Sequence, residues 1–189
     1  MLLKIGLCVV FILSFAWVSF PKQAHATGAF ELSTGASYSR SNYSPDSFNW
    51  TRRLGFSLGY YFSERTEVEF TIQDIIDRTV IAGYEDTNFH DQIYSANWVQ
   101  SLLGKDHFFQ PYFKIGIGQL NRDATGTYSN GASPPLHVDA ITGVLGVGLR
   151  LYITRTFAIR SEATSYLAGG SVRNWKNNIS VTFGISLYF

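Results

Sequence analysis

From residue 30 onward, apolar and polar positions alternate with period two through eight segments of the chain. Phe30, Leu32, Thr34, Ala36 and Tyr38 stand against Glu31, Ser33, Gly35, Ser37 and Ser39. Leu54, Phe56, Leu58, Tyr60 and Phe62 then stand against Arg53, Gly55, Ser57, Gly59 and Tyr61. Val68, Phe70 and Ile72 oppose Glu67, Glu69, Thr71 and Gln73, and this third segment continues less cleanly toward Val80. A fourth, from about Asp91 to Leu102, sets Tyr94, Ala96 and Trp98 against Ser95 and Asn97 until Gln100 breaks its apolar face. QPYFKIGIGQL, the stretch 141–151 and the stretch 157–164 follow. The chain closes on NISVTFGISLYF, where Val181, Phe183, Ile185, Leu187 and Phe189 alternate to the last residue. Successive side chains of a strand point to opposite faces, so the pattern predicts eight two-faced strands.

The connections alternate in length. Short ones fall near Ser63, Lys105 and Arg155, and longer polar ones span 41–50, 81–90, 122–137 and 168–176. This rhythm predicts an all-β fold, an eight-stranded antiparallel up-and-down transmembrane β-barrel with tight turns on one side and four loops on the other. A soluble barrel would point its apolar set inward and a membrane barrel outward. The polar face favours the membrane. It carries Gly55, Gly59, Gly116, Gly118, Gly146, Gly148 and Gly184 among Arg53, Glu67, Glu69, Lys114, Arg150, Arg160 and Glu162. A water-facing surface has little use for so many strand-weakening glycines, whereas a narrow lumen needs small residues for space and opposite charges to pair. Those seven charged residues are the candidate lumen network, read as a plug or as the gate of a narrow pore. Aromatic residues near predicted strand ends (Trp50, Tyr60, Phe62, Trp98, Phe108, Phe109, Tyr152, Tyr166, Trp175 and Phe189) suit the two membrane interfaces. Closure also leaves no strand edge unpaired in lipid.

The first 26 residues set the export route. Lys4 precedes an apolar run from about Ile5 to Phe20, and Ala24-His25-Ala26 forms a small-x-small cleavage site. We read 1–26 as a cleaved secretory signal peptide and 27–189 as one domain. Cys8, the single cysteine, lies inside the signal, so disulfides do not hold the mature chain. Loss of Lys4 and Lys22 turns 15 basic against 14 acidic side chains into 13 against 14, which gives nucleic acid no basic surface to bind.

The segments QPYFKIGIG, YSANWVQSLL and GVGLRLYITRTFAIRSEATSY resemble the corresponding strands of small bacterial outer-membrane barrels of the OmpA/OmpX/OmpW type. VTFGISLYF resembles their terminal signature. The resemblance implies a place in the outer membrane, contact with its lipid and lipopolysaccharide, and recognition of Phe183, Ile185, Leu187 and Phe189 by the outer-membrane assembly machinery. It implies a structural or surface-interaction role in adhesion or envelope integrity, with a surface ligand met by the loops. A narrow channel for small or hydrophobic solutes is the alternative. A lipid A-modifying enzyme and a lipocalin-like soluble binder rank below these. His137 and Asp139 share a face near Ser133, but the histidine-x-serine pair of the lipid A deacylases is missing, so no catalytic residue is assigned. Without CxxC, HExxH or a phosphate loop, the sequence calls for no metal and no cofactor.

Overall fold

A computed structural model describes residues 29–168 and 179–189. The proposed signal peptide, Trp175 and most of the 168–176 connection lie outside them. The described chain forms eight strands: β1 Phe30–Ser44, β2 Ser47–Tyr61, β3 Thr66–Ile81, β4 Glu85–Ser101, β5 Phe109–Tyr128, β6 Gly131–Tyr152, β7 Phe157–Ala168 and β8 Ile179–Tyr188. Each is antiparallel to its neighbours, and β1 pairs with β8, so the sheet closes into a barrel as the sequence predicts. Phe189 completes the ring by exchanging backbone hydrogen bonds with Phe30, at 3.1 and 3.3 Å.

The predicted phase holds, with the apolar set outside. Phe56, Phe70, Ile72, Ile117, Val147 and Phe183 are each more than half exposed. An exposed apolar belt that continues around the barrel suits hydrocarbon and not water. At the short-turn end, Phe30, Tyr60 and Phe62 form a run of ring contacts at 5.1 and 5.0 Å, beginning an outward aromatic girdle joined by Trp98, Phe109 and Phe189. Phe56 sits midway along β2 between that girdle and Arg52. Phe56→Arg is therefore expected to cost about 2–4 kcal/mol, the penalty of a cation near the bilayer midplane. Urea unfolding in lipid vesicles measures it.

Two expectations need correction. Tyr152 and Tyr166 do not join a girdle. They are 1% and 7% exposed and face the lumen, because each shares the inward phase of its strand with Arg150 and Thr164. The polar segments 41–50, 81–90 and 122–137 are also not irregular loops. They continue the ladders as hairpins that reverse within two or three residues, at 45–46, 82–84 and 129–130. Gly83 and Gly131 take positive φ there, 71° and 126°, which a side chain would strain. A bilayer span takes about 9–11 strand residues, while β5 has 20 and β6 has 22. The excess stands above the belt, where both faces meet water and the apolar alternation has no cause.

Candidate functional site

Because the apolar side chains face outward, the polar set of each strand is forced into a lumen narrow enough for side chains to meet across it. Near the short-turn end, Arg150 lies within 3.0 Å of Glu31 and 2.6 Å of Glu67. Beside it, Arg160 reaches Glu69 and Glu162, both at 2.5 Å. Lys114 binds Glu69 at 3.2 Å and also pairs with Glu162. Neutral donors add to the ion pairs: Tyr61 and Ser186 donate to Glu31, each at 2.6 Å, while Tyr112 and Thr164 donate to Glu162 at 2.7 and 2.6 Å, and Oε1 of Glu67 is left without a partner among the described residues. Tyr112 also stacks under Arg150, 4.4 Å from guanidinium carbon to ring centroid. Burial of ions is costly unless they are paired and hydrogen-bonded, and this arrangement pairs every carboxylate with a guanidinium or an ammonium.

Six of the seven predicted residues, Glu67, Glu69, Lys114, Arg150, Arg160 and Glu162, thus come together. Arg53 does not. The cross-strand partner of Glu69 on β2 is Gly59, and Arg53 lies six residues farther toward the hairpins, about 20 Å along the strand. Two members escaped the sequence reading. Glu31 stands on the inward face of β1, but a carboxylate at a strand start gives no sign that it will meet a cation 119 residues away. Lys105, from the turn between β4 and β5, folds into the lumen with its ammonium 3.4 Å from the Tyr61 ring centroid, near Glu31 and Glu67. The four carboxylates of the cluster therefore face four cations.

The glycines of the inward face make the space. A Cβ on Gly59 would run into the Glu67 carboxylate, and one on Gly148 into the Tyr112 ring. Below the ion pairs, Tyr61, Tyr152, Tyr188 and Ala158 pack into a floor. Above them is a void of about 40 Å3 edged by Gln73 and Thr71, room for ordered water. Ion pairs and aromatic floor together occupy the lumen at this level.

The outward terminal residues Phe183, Ile185, Leu187 and Phe189 lie on the lipid face of β8 and the chain end, all exposed. At the hairpin end, Nδ1 of His137 contacts Asp123 at 2.7 Å and Nε2 contacts Asp139 at 3.3 Å. Above the membrane, the hydrogen bond to Asp123 and the charge of Asp139 hold this imidazole above its ordinary pKa. A serine-activating base needs a free ring nitrogen, and here both are engaged. Ser133 pairs instead with Gly126, beyond a register shift. Among the described residues no group of three or more His, Cys, Asp or Glu is placed to hold a metal ion.

A profile of the outer membrane protein β-barrel domain matches residues 10–187. The chain belongs to that family. Among solved structures, this outer membrane β-barrel is similar to the N-terminal barrel of Pseudomonas aeruginosa OprF, at 12% identity and a TM-score of 0.55, covering 86% of this chain and 98% of that one. It is equally similar to Ail, the attachment invasion locus protein of Yersinia pestis, at 14% identity and a TM-score of 0.55, covering 86% and 99%. No curated protein matches. Family and fold place this barrel in the bacterial outer membrane, with its short turns on the periplasmic side and its hairpins outside.

Proposed function

We propose that the protein is a non-conducting outer-membrane barrel that serves the cell surface through its hairpins, as a structural and interaction element in adhesion or envelope integrity. The observation that carries this reading is the cluster of ion pairs across the lumen beneath long outward hairpins. An ion crossing the barrel would have to part Arg150 and Arg160 from Glu31, Glu67, Glu69 and Glu162, all buried except the part-buried Glu162. Building a low-resistance path from that cluster would mean leaving buried charges unpaired. The external hairpins, by contrast, present Tyr43, Tyr84 and Leu136 to solvent, each more than half exposed. Exposed aromatic side chains are well suited to contact a partner. Ail, named for attachment, shares this fold and is a precedent for such a role on it.

Two measurements test the proposal. Purified barrel in planar bilayers is expected to show no sustained conductance steps, and regular open steps would favour the narrow channel. Cells displaying a variant with residues 123–137 replaced by a two-residue turn are expected to lose adherence to matrix-coated wells. That barrel should still run as a folded, heat-modifiable band. Unchanged adherence would remove the hairpin from the proposed role.

A further inference from the structure

Above the plug, the lumen changes character. Ile75, Ile93, Leu120, Val144 and Tyr166 point inward from five successive strands and form an apolar collar. A lumen filled only with water and ions has no need of such a collar, because its hydration is unfavourable. Over the collar opens a cavity of about 310 Å3, walled by Phe89, Ile75, Ile93, Leu120 and Tyr166 and rimmed by polar side chains. Its volume falls at the small end of ligand pockets, roughly 300–1,000 Å3, and barrel mouths are a usual place for them. The ion-pair cluster lies between this cavity and the short-turn end, so the pocket belongs to the outer half of the lumen.

The rim states what kind of head group it suits. Arg122 is engaged, donating to both carboxylate oxygens of Asp91 at 2.7 and 2.6 Å. Asp77 accepts from Thr51 at 2.7 Å and from Asn49 at 2.9 Å. Two lining atoms are left over: Nε of Arg53 and Oγ of Ser180 are buried with no hydrogen-bond partner among the described residues. A buried donor without an acceptor is costly, and a ligand oxygen would satisfy it. The rim's two guanidinium groups and two carboxylates already balance. Asp77 and Asp91 act on Arg53 at longer range, so a full negative charge added here would be uncompensated. An uncharged acceptor fits better.

We propose that this outward pocket binds a small amphiphile with an apolar chain or ring and one uncharged carbonyl head, of the amide, ester or lactone class. The carbonyl accepts from Arg53 Nε and the Ser180 hydroxyl, and the apolar part lies on the collar. This site goes beyond the surface role argued above and stands or falls separately from it.

The test uses the full barrel in lipid nanodiscs, with methyl groups of isoleucine and leucine labelled for NMR, titrated with hexanamide, hexanoate and hexylammonium. Hexanamide is expected to shift Ile75, Ile93 and Leu120 saturably and to bind more tightly than the two charged analogues. Arg53→Met should weaken it by about tenfold, and Leu120→Trp, which fills the cavity while sparing Arg53, should abolish it. Heat-modifiable mobility checks that each variant is folded. If Arg53→Met does not fold, the head-group series and Leu120→Trp decide. Equal affinity for all three probes, tighter binding of hexanoate, or shifts no different from nonspecific partition into empty nanodiscs would overturn the assignment.

Discussion

Arg150→Ala is expected to destabilise the barrel by about 3–5 kcal/mol, the cost of breaking a buried pair by removing one partner. The arginine is fully buried, donates through Nε to Glu31 at 3.3 Å and through NH2 to Glu67 at 2.6 Å, and also reaches Ser101 at 3.3 Å. Alanine would leave Glu67 without its guanidinium partner and Glu31 held by Arg160 alone, 3.4 Å away, with Lys105 nearby. Unfolding in urea-treated lipid vesicles and the temperature at which the compact gel band is lost both report the effect. Adding Glu67→Gln to Arg150→Ala should restore part of the loss, because it removes one stranded charge. If the single variant unfolds like the parent, the cluster carries no weight in stability and the plug reading fails with it.

The second large effect is expected at the seam. Among the described residues only six pairs join β1 to β8, from Glu31↔Tyr188 to Ala36↔Phe183, against fourteen between β1 and β2. One pair from the Ala36↔Phe183 end of this short seam, Gly184 faces Gly35. A Cβ at Gly184 would collide with the backbone carbonyl of Thr34 and lie 2.7 Å from Gly35 Cα, so only a backbone shift could relieve it. Overpacking costs about 1–3 kcal/mol where side chains can give way, and more where they cannot. Gly184→Val should therefore deplete the heat-modifiable band from the outer-membrane fraction. Gly35→Ala, whose new methyl meets its neighbours at 3.6–3.7 Å, should leave the band intact. Equal behaviour of the two would show that the seam tolerates a displaced strand.

What the sequence disclosed follows from where lipid acts. Hydrocarbon on one side and a polar lumen on the other impose an alternation that reads directly from Phe56, Leu58 and Tyr60 or from Phe183, Ile185 and Leu187. Strand number, closure and the lipid face were legible for that reason. Above the belt water lies on both sides, so residues such as Thr125, Thr127 and Ser133 carry no alternation, and ladders that continue there read as loops. Membership of the charge cluster depends on height in the barrel, which comes from inter-strand register and not from phase. Arg53 and Arg150 have the same phase signature and sit at different levels. Glu31 and Lys105 join only because pairing across the ring brings a strand start and a turn beneath the same arginine. Tyr152 and Tyr166 were decodable, since counting from Arg150 and Thr164 puts both inside. Their aromatic character near strand ends outweighed that count. The inward collar of Ile75, Ile93, Leu120 and Val144 had no such marker, because apolar residues on the polar face look like breaks in a pattern.

The ion cluster draws Glu31 from β1, Glu67 and Glu69 from β3, Lys114 from β5, Arg150 from β6, and Arg160 and Glu162 from β7. In an N-to-C order of synthesis, three acids enter the envelope before the two arginines that neutralise them. A chain truncated after β5, or one whose late strands dock out of register, would hold Glu31, Glu67 and Glu69 with only lysines nearby. The cluster is thus complete only once β6 and β7 have docked in register, and a chain that stops short of them carries three acids without their guanidinium partners.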